Sequence, residues 1–165
     1  MKLLEFAKRF VLMAAFGLWL GGFTFYTAFV IPIGHRHFPG RQFGFLTGEV
    51  TAVLGYLSAA AIVLTLINLA MEWRRIPGGW RWASVGTAMV LLGTLVAIFL
   101  VHAKLDAVLD YHAHRIIDTN PFEPLHERYE LLATIQWGAG LLHLGCLWGG
   151  WRRVDGERKE RQSSD

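Results

Sequence analysis

The chain has few of the residues that soluble domains use for crosslinks and catalytic sites. Its only cysteine, Cys146, excludes an internal disulfide and gives no indication of redox compartment. There is no Gly-rich phosphate loop, no HExxH pair and no Ser-His-Asp pattern at a credible spacing, which argues against a soluble enzyme. Charged residues are also sparse, at 18% of 165 residues against 53% hydrophobic residues. That balance is unusually apolar for a soluble domain.

The apolar residues fall into long runs without charges. The first run, 10–33, has 24 uncharged residues and can cross a hydrocarbon core of about 30 Å. It is too long for a signal-peptide core, and no small-x-small cleavage site follows it. The sequence therefore predicts an all-α integral membrane protein, a four-helix antiparallel bundle in a single domain over residues 1–153. The predicted spans are about 10–33, 50–71, 83–103 and 131–148, and residues 154–165 are predicted to form a disordered polar tail.

The Lys and Arg residues are distributed unevenly between the two sides of such a bundle. Eleven of the sixteen lie at the N-terminus, in the second connection or in the tail, and five lie on the other side. This asymmetry predicts that both termini of the multi-pass protein are cytoplasmic. Because the basic residues flank apolar runs, we expect the lipid bilayer as their partner and not nucleic acid.

Most histidines fall on the predicted outer side, together with seven carboxylates. We expect the third helix to continue for two or three turns beyond Lys104, so that residues four apart form one stripe. The candidate metal ligands are His102, Asp106, Asp110 and His114 on that stripe, with His35, His37 and His126 on neighbouring segments. Imidazole and carboxylate together suit Zn²⁺ or Cu²⁺. The alternative is that His and Asp only make the helix polar where it emerges into water.

Three polar side chains are expected inside the membrane: Asn68, Gln136 and His143. Gln136 and His143 share a face of the fourth helix, and His143 is predicted to hydrogen-bond Asn68 or a threonine. Haem ligation by His143 is disfavoured because no second well-placed intramembrane histidine would complete a bis-His site. Gly17 and Gly21 have GxxxG spacing and predict a strip for close packing of another helix.

Two segments carry a family resemblance, GLWLGGFTFYTAFVIPIGHRHFPGRQFG and FEPLHERYELLATIQW. Together they make the chain similar, over about residues 8–150, to the four-span bacterial relatives of the eukaryotic transmembrane protein 205 family. The resemblance implies a four-helix membrane protein whose bacterial members have no defined function, and a loose link of the eukaryotic members to handling of metal-based drugs. It implies no catalytic residue. One positional match is Leu125-His126, with Phe122 before it, as the entry to the fourth span.

Together with the resemblance, these patterns predict a small, multi-pass, non-enzymatic protein of the bacterial inner membrane. We expect it to be an accessory or transport-related protein without a resident cofactor. One alternative is divalent-metal handling through the His/Asp-rich outer face. Another is a membrane redox subunit that binds haem or quinone. Four short spans enclose only a narrow interior, so transport is expected to need a homo-oligomer or a larger membrane assembly.

Overall fold

The computed structural model describes residues 2–38, 40–110, 115–117 and 119–163, and nearly all of them are helical. The elements are α1 (Lys2–Phe25), a π-helical segment (Tyr26–Val30), α2 (Ile31–His37), α3 (Gly40–Glu72), α4 (Gly78–Ala107), β1 (Leu109–Asp110), β2 (Arg115–Ile116) and α5 (Thr119–Ser163). Four helical stretches are long and apolar enough to cross a membrane: Leu3–His37, Phe43–Glu72, Gly78–Ala107 and Asn120–Ser163. The prediction of four apolar membrane helices is confirmed.

The first stretch stays continuous through a π-helical segment just before Pro32. In this segment the Ile31 N–H donates to the carbonyl of Tyr26, five residues earlier. Proline has no N–H, and its ring clashes with the carbonyl four residues back in a regular α-helix. The wider π turn before Pro32 is consistent with relief of that clash, and such turns are frequent at functional sites.

The apolar core lies where α1, α3, α4 and α5 pack together. Its most deeply buried members include Phe16, Ile62, Leu91 and Leu147. Large apolar side chains also cover the outside of the helices. The most exposed examples in the spans include Leu18, Val53, Leu100 and Leu142. An apolar exterior of this extent is what lipid contact requires of a membrane protein.

Two glycines of α5 allow tryptophan rings to lie against its backbone. A Cβ at Gly140 would lie 2.9 Å from the Trp19 ring, and a Cβ at Gly149 would clash with the Trp80 ring. Gly17 and Gly21 differ from them, because a Cβ at either position would meet no atom within 4 Å. Among the residues that the structure describes, therefore, no helix packs on the predicted glycine strip, and its use by a second chain stays a prediction.

The third helix ends earlier than the sequence predicted. α4 stops at Ala107, and the chain then forms a short antiparallel pair, with Leu109 opposite Ile116. The Ile117 N–H donates to the Val108 carbonyl at 2.9 Å, which closes this hairpin. The prediction of two or three further helical turns is wrong, because the chain pairs as a hairpin in which Leu109 and Ile116 are partly buried. Asp110 therefore leaves the helical stripe, and His114 lies outside the described residues.

The predicted disordered tail is helical through Ser163, because α5 continues far beyond the fourth span. Asp155 accepts two hydrogen bonds from the Arg9 guanidinium, at 2.7 and 3.1 Å. Arg158 donates to the Glu5 carboxylate at 2.9 Å. These ion pairs join the last turns of α5 to α1. An isolated polar tail would lack such partners. We call this end of the molecule the terminal end.

Candidate functional site

A cavity of about 830 Å³ occupies the opposite end, which we call the hairpin end. Its walls come from the π-helical segment, α2, the start of α3, the end of α4, the hairpin and the start of α5. Leu109 and Ile116 of the hairpin form part of the lining. Ligand pockets in proteins typically measure about 300–1,000 Å³, so this cavity has the size of a small-molecule site.

The polar lining of the cavity contains two histidine–carboxylate pairs. His102 Nδ1 lies 3.1 Å from the Asp106 carboxylate, and His126 Nε2 lies 3.2 Å from the Glu130 carboxylate. Both pairs are one helical turn apart in sequence, the spacing at which side chains meet on one face. His35 of α2 lines the same cavity. Among the lining residues that the structure describes, there is no Lys or Arg.

Each of the three cavity histidines packs against an aromatic ring. His35 meets Phe43 edge-on at 5.2 Å between ring centroids. His102 meets Tyr129 edge-on at 6.0 Å. His126 stacks on Phe122 at 5.7 Å. The imidazoles are thus held by rings that line the same cavity.

Tyr26 is a cavity residue that the sequence analysis missed. Its side chain is only 5% exposed, and it lines the cavity from the π-helical segment. Its hydroxyl faces Thr47 without forming a hydrogen bond of good geometry, and no other described atom satisfies it. A buried hydroxyl without a partner is uncommon and indicates a group left for water or a ligand.

A second, smaller cavity of about 240 Å³ adjoins the first between α3 and α4. It is bordered by Tyr56 and Phe99, which are 67% and 39% exposed on the outside of the helices. Four residues line both cavities: Thr51, His102, Asp106 and Tyr129. These side chains separate the main cavity from a cleft on the apolar exterior.

The cavity brings together four of the seven predicted metal ligands: His35, His102, Asp106 and His126. His37 and Asp110 do not line it. Within the described ranges, no three His, Cys, Asp or Glu side chains come close enough to hold a metal ion. Because His114 lies outside those ranges, metal binding by the full predicted set stays a prediction.

The predicted intramembrane polar residues lie elsewhere. His143 is fully buried, its Nδ1 is 2.7 Å from the Thr87 hydroxyl, and its ring stacks on Phe16. Its partner is thus a threonine, and Asn68 is only half-buried on α3. Gln136 is 5% exposed, and its amide nitrogen has no partner in the part of the chain that the structure describes. The contact between His143 of α5 and Thr87 of α4 is thus of the kind that joins helices in a membrane core.

The fold and the cavity define a multi-pass membrane protein with a mixed aromatic and polar cavity at one end. A family model described as a domain of unknown function (DUF4149) matches residues 14–110, more than half of the chain. The chain belongs to this family. The matched stretch includes His102 and Asp106 but ends before His126 and Glu130. No curated protein and no solved structure matches the chain.

Proposed function

We propose that this protein is a non-enzymatic, transport-related protein of the bacterial inner membrane, and that the hairpin-end cavity is its ligand site. The observation that carries the proposal is the cavity itself, which measures about 830 Å³ and is lined by two histidine–carboxylate pairs and the buried Tyr26 side chain. Its neighbouring cleft lies on the apolar exterior, and the four side chains that line both spaces separate the cleft from the cavity.

In this proposal the four helices are antiparallel, both termini are cytoplasmic, and the cavity faces the outside of the cell. Two observations support that orientation. Lys and Arg are concentrated in the segments assigned to the cytoplasm, as the positive-inside rule requires. Ion pairs also join the first turns of α1 to the last turns of α5, which brings both termini to one end of the molecule.

Cysteine accessibility tests the proposal. In a Cys146→Ser background, Thr47→Cys introduces a thiol into the cavity, and Ser163→Cys introduces one near the C-terminus. We expect a membrane-impermeant maleimide to label Thr47→Cys in intact spheroplasts and Ser163→Cys only after lysis. Val53→Cys is the matched control on α3, because Val53 is 58% exposed on the apolar surface and should stay unlabelled. Labelling of Thr47→Cys only after lysis, or not at all, would contradict the proposal.

A further inference from the structure

We propose that Arg81 and two tryptophan neighbours form a binding site for the phosphate headgroup of an anionic phospholipid. The site lies at the terminal end, because the chain just before α4 is joined to α1 by the Arg75–Glu5 and Lys8–Glu72 ion pairs. Arg81 itself belongs to the first turn of α4 and does not line the hairpin-end cavity. The proposal therefore goes beyond the proposed function and does not depend on it.

Two tryptophan rings hold the Arg81 side chain in place. Its guanidinium carbon lies 5.0 Å from the Trp73 ring centroid and 6.0 Å from the Trp82 ring centroid. The two rings meet edge-on, with 6.0 Å between their centroids. Arg81 Nη1 also donates to the Trp73 carbonyl at 3.4 Å. A side chain that is already held loses less conformational freedom when it binds a ligand.

The charge of Arg81 has no carboxylate partner in the part of the chain that the structure describes. Glu72, the nearest carboxylate in sequence, pairs with Lys8 and Arg75. No Asp or Glu follows Glu72 in the sequence until Asp106. The Arg81 Nε atom is also buried and makes no hydrogen bond to any described atom. A guanidinium in this state is complemented by an anion, and its parallel N–H groups match two oxygens of a phosphate.

The surroundings of Arg81 indicate that the phosphate belongs to a lipid. Trp73 and Trp82 are 39% and 62% exposed, and tryptophans on the outside of membrane proteins are enriched at the level of the headgroups. Met89 lies two helical turns after Trp82 on the same face of α4, and it is also exposed. An acyl chain can pack along this apolar face while its phosphate meets Arg81. A free phosphate ion would gain nothing from the apolar face.

Two phospholipids with the same acyl chains and different headgroup charge test the proposal. The purified full-length protein is delipidated in detergent micelles and titrated with dioleoylphosphatidylglycerol or dioleoylphosphatidylcholine, and native mass spectrometry counts the bound lipids. We expect the first phosphatidylglycerol to bind more tightly than the first phosphatidylcholine by about tenfold or more. Equal affinity for the two lipids would overturn the proposal. Displacement of phosphatidylglycerol by excess inorganic phosphate would also overturn it, because it would show a site for a free anion.

Matched substitutions locate the preference for the anionic lipid. Arg81→Gln should lower the affinity for phosphatidylglycerol by about tenfold and leave that for phosphatidylcholine unchanged. The control Arg74→Gln removes the same charge from an exposed residue between α3 and α4 that has no ring contact among those described. This control should change the affinity by less than about twofold. Equal losses in the two variants would show a general effect of surface charge and would contradict a site at Arg81.

Arg81→Lys separates the guanidinium from its charge. Lysine keeps the positive charge but lacks the planar fork that stacks on rings and binds two phosphate oxygens. We expect Arg81→Lys to bind phosphatidylglycerol more tightly than Arg81→Gln and less tightly than the native chain. Affinity equal to that of the native chain would contradict a site built around the guanidinium.

Discussion

The terminal end and the hairpin end of these four helices differ in how they use charge. At the terminal end, Glu5 accepts from both Arg75 and Arg158, and Arg9 pairs with Asp155 while lying over the Trp151 ring. At the hairpin end, carboxylates pair with histidines around a cavity. Fixed cations close the first end by joining helices together. At the second end, the histidine–carboxylate pairs lie along a cavity and leave space between the helices.

The packing of the interior also differs between the terminal end and the hairpin end. Towards the terminal end, Phe16, His143 and Leu147 are essentially fully buried, and Trp80 packs against the bare backbone of Gly149. Towards the hairpin end, the helices enclose a space in place of a packed core. Cavities cost packing contacts, so one of this size is expected where function uses it. The comparison predicts that stability resides at the terminal end and ligand binding at the hairpin end.

The largest loss of stability is expected for Gly149→Ala. The new Cβ would clash with the Trp80 ring, and overpacking of this kind costs about 1–3 kcal/mol. Gly145→Ala is the control on the same helix, since its Cβ would meet no atom within 4 Å. Unfolding by SDS titration in mixed micelles measures both variants. Equal stability of the two would refute close packing at the terminal end.

A smaller loss is expected for Thr87→Val, which removes the hydroxyl that contacts His143. Interhelical hydrogen bonds in membranes average about 0.6 kcal/mol and reach about 1.7 kcal/mol. Thr94→Val is the control on α4, because the Thr94 hydroxyl bonds only carbonyls of its own helix among the contacts described. A double-mutant cycle with His143→Leu isolates the pair, and a coupling energy of zero would show that the bond contributes nothing.

A still smaller effect is expected for Asp155→Asn at the terminal end. It weakens the bidentate pair with Arg9, and because Asp155 is about half exposed we expect a loss of about 0.5 kcal/mol. Raising the salt to about 0.5 M should reduce the difference from the native chain. The exposed neighbour Glu157→Gln controls for loss of charge alone. A loss that is the same in both variants would mean that the pair does not hold the helical tail.

The smallest effect on stability is expected for Glu130→Gln at the hairpin end. Its side chain is 66% exposed, so its pair with His126 should contribute less than about 0.5 kcal/mol. Unfolding by SDS titration in mixed micelles measures the variant beside Gly149→Ala. A loss of stability as large as that of Gly149→Ala would reverse the contrast between the two ends.

The local pattern of the sequence predicted the membrane helices well but the residues of the hairpin-end cavity only in part. The long uncharged runs predicted four membrane helices, because run length alone decides whether a helix can cross lipid. Helical spacing also related His102 to Asp106, and the two side chains do meet. The end of α4 was mispredicted, since only tertiary packing of the hairpin decides that Leu109 leaves the helix. Helix in the tail was missed because it depends on partners about 150 residues away in sequence.

The cavity itself could not be read from one sequence. Tyr26 and Trp137 look like ordinary apolar-span residues, and nothing local marks them as lining one space. Trp137 Nε1 donates to the Thr24 hydroxyl at 2.9 Å, a contact between α5 and α1 that has no sequence signature. One feature of the sequence could have indicated the π-helical segment. Pro32 lies inside an apolar span, and a proline there indicates irregular backbone nearby.

The most direct test of whether the two ends differ in packing is amide hydrogen exchange in nanodiscs. It is measured along α1 and the π-helical segment that follows it. We predict faster exchange over residues 23–31, which border the cavity and contain the π turn, than over residues 9–17, which pack into the core. Equal exchange in both segments, or faster exchange over residues 9–17, would contradict a closed terminal end and an open hairpin end.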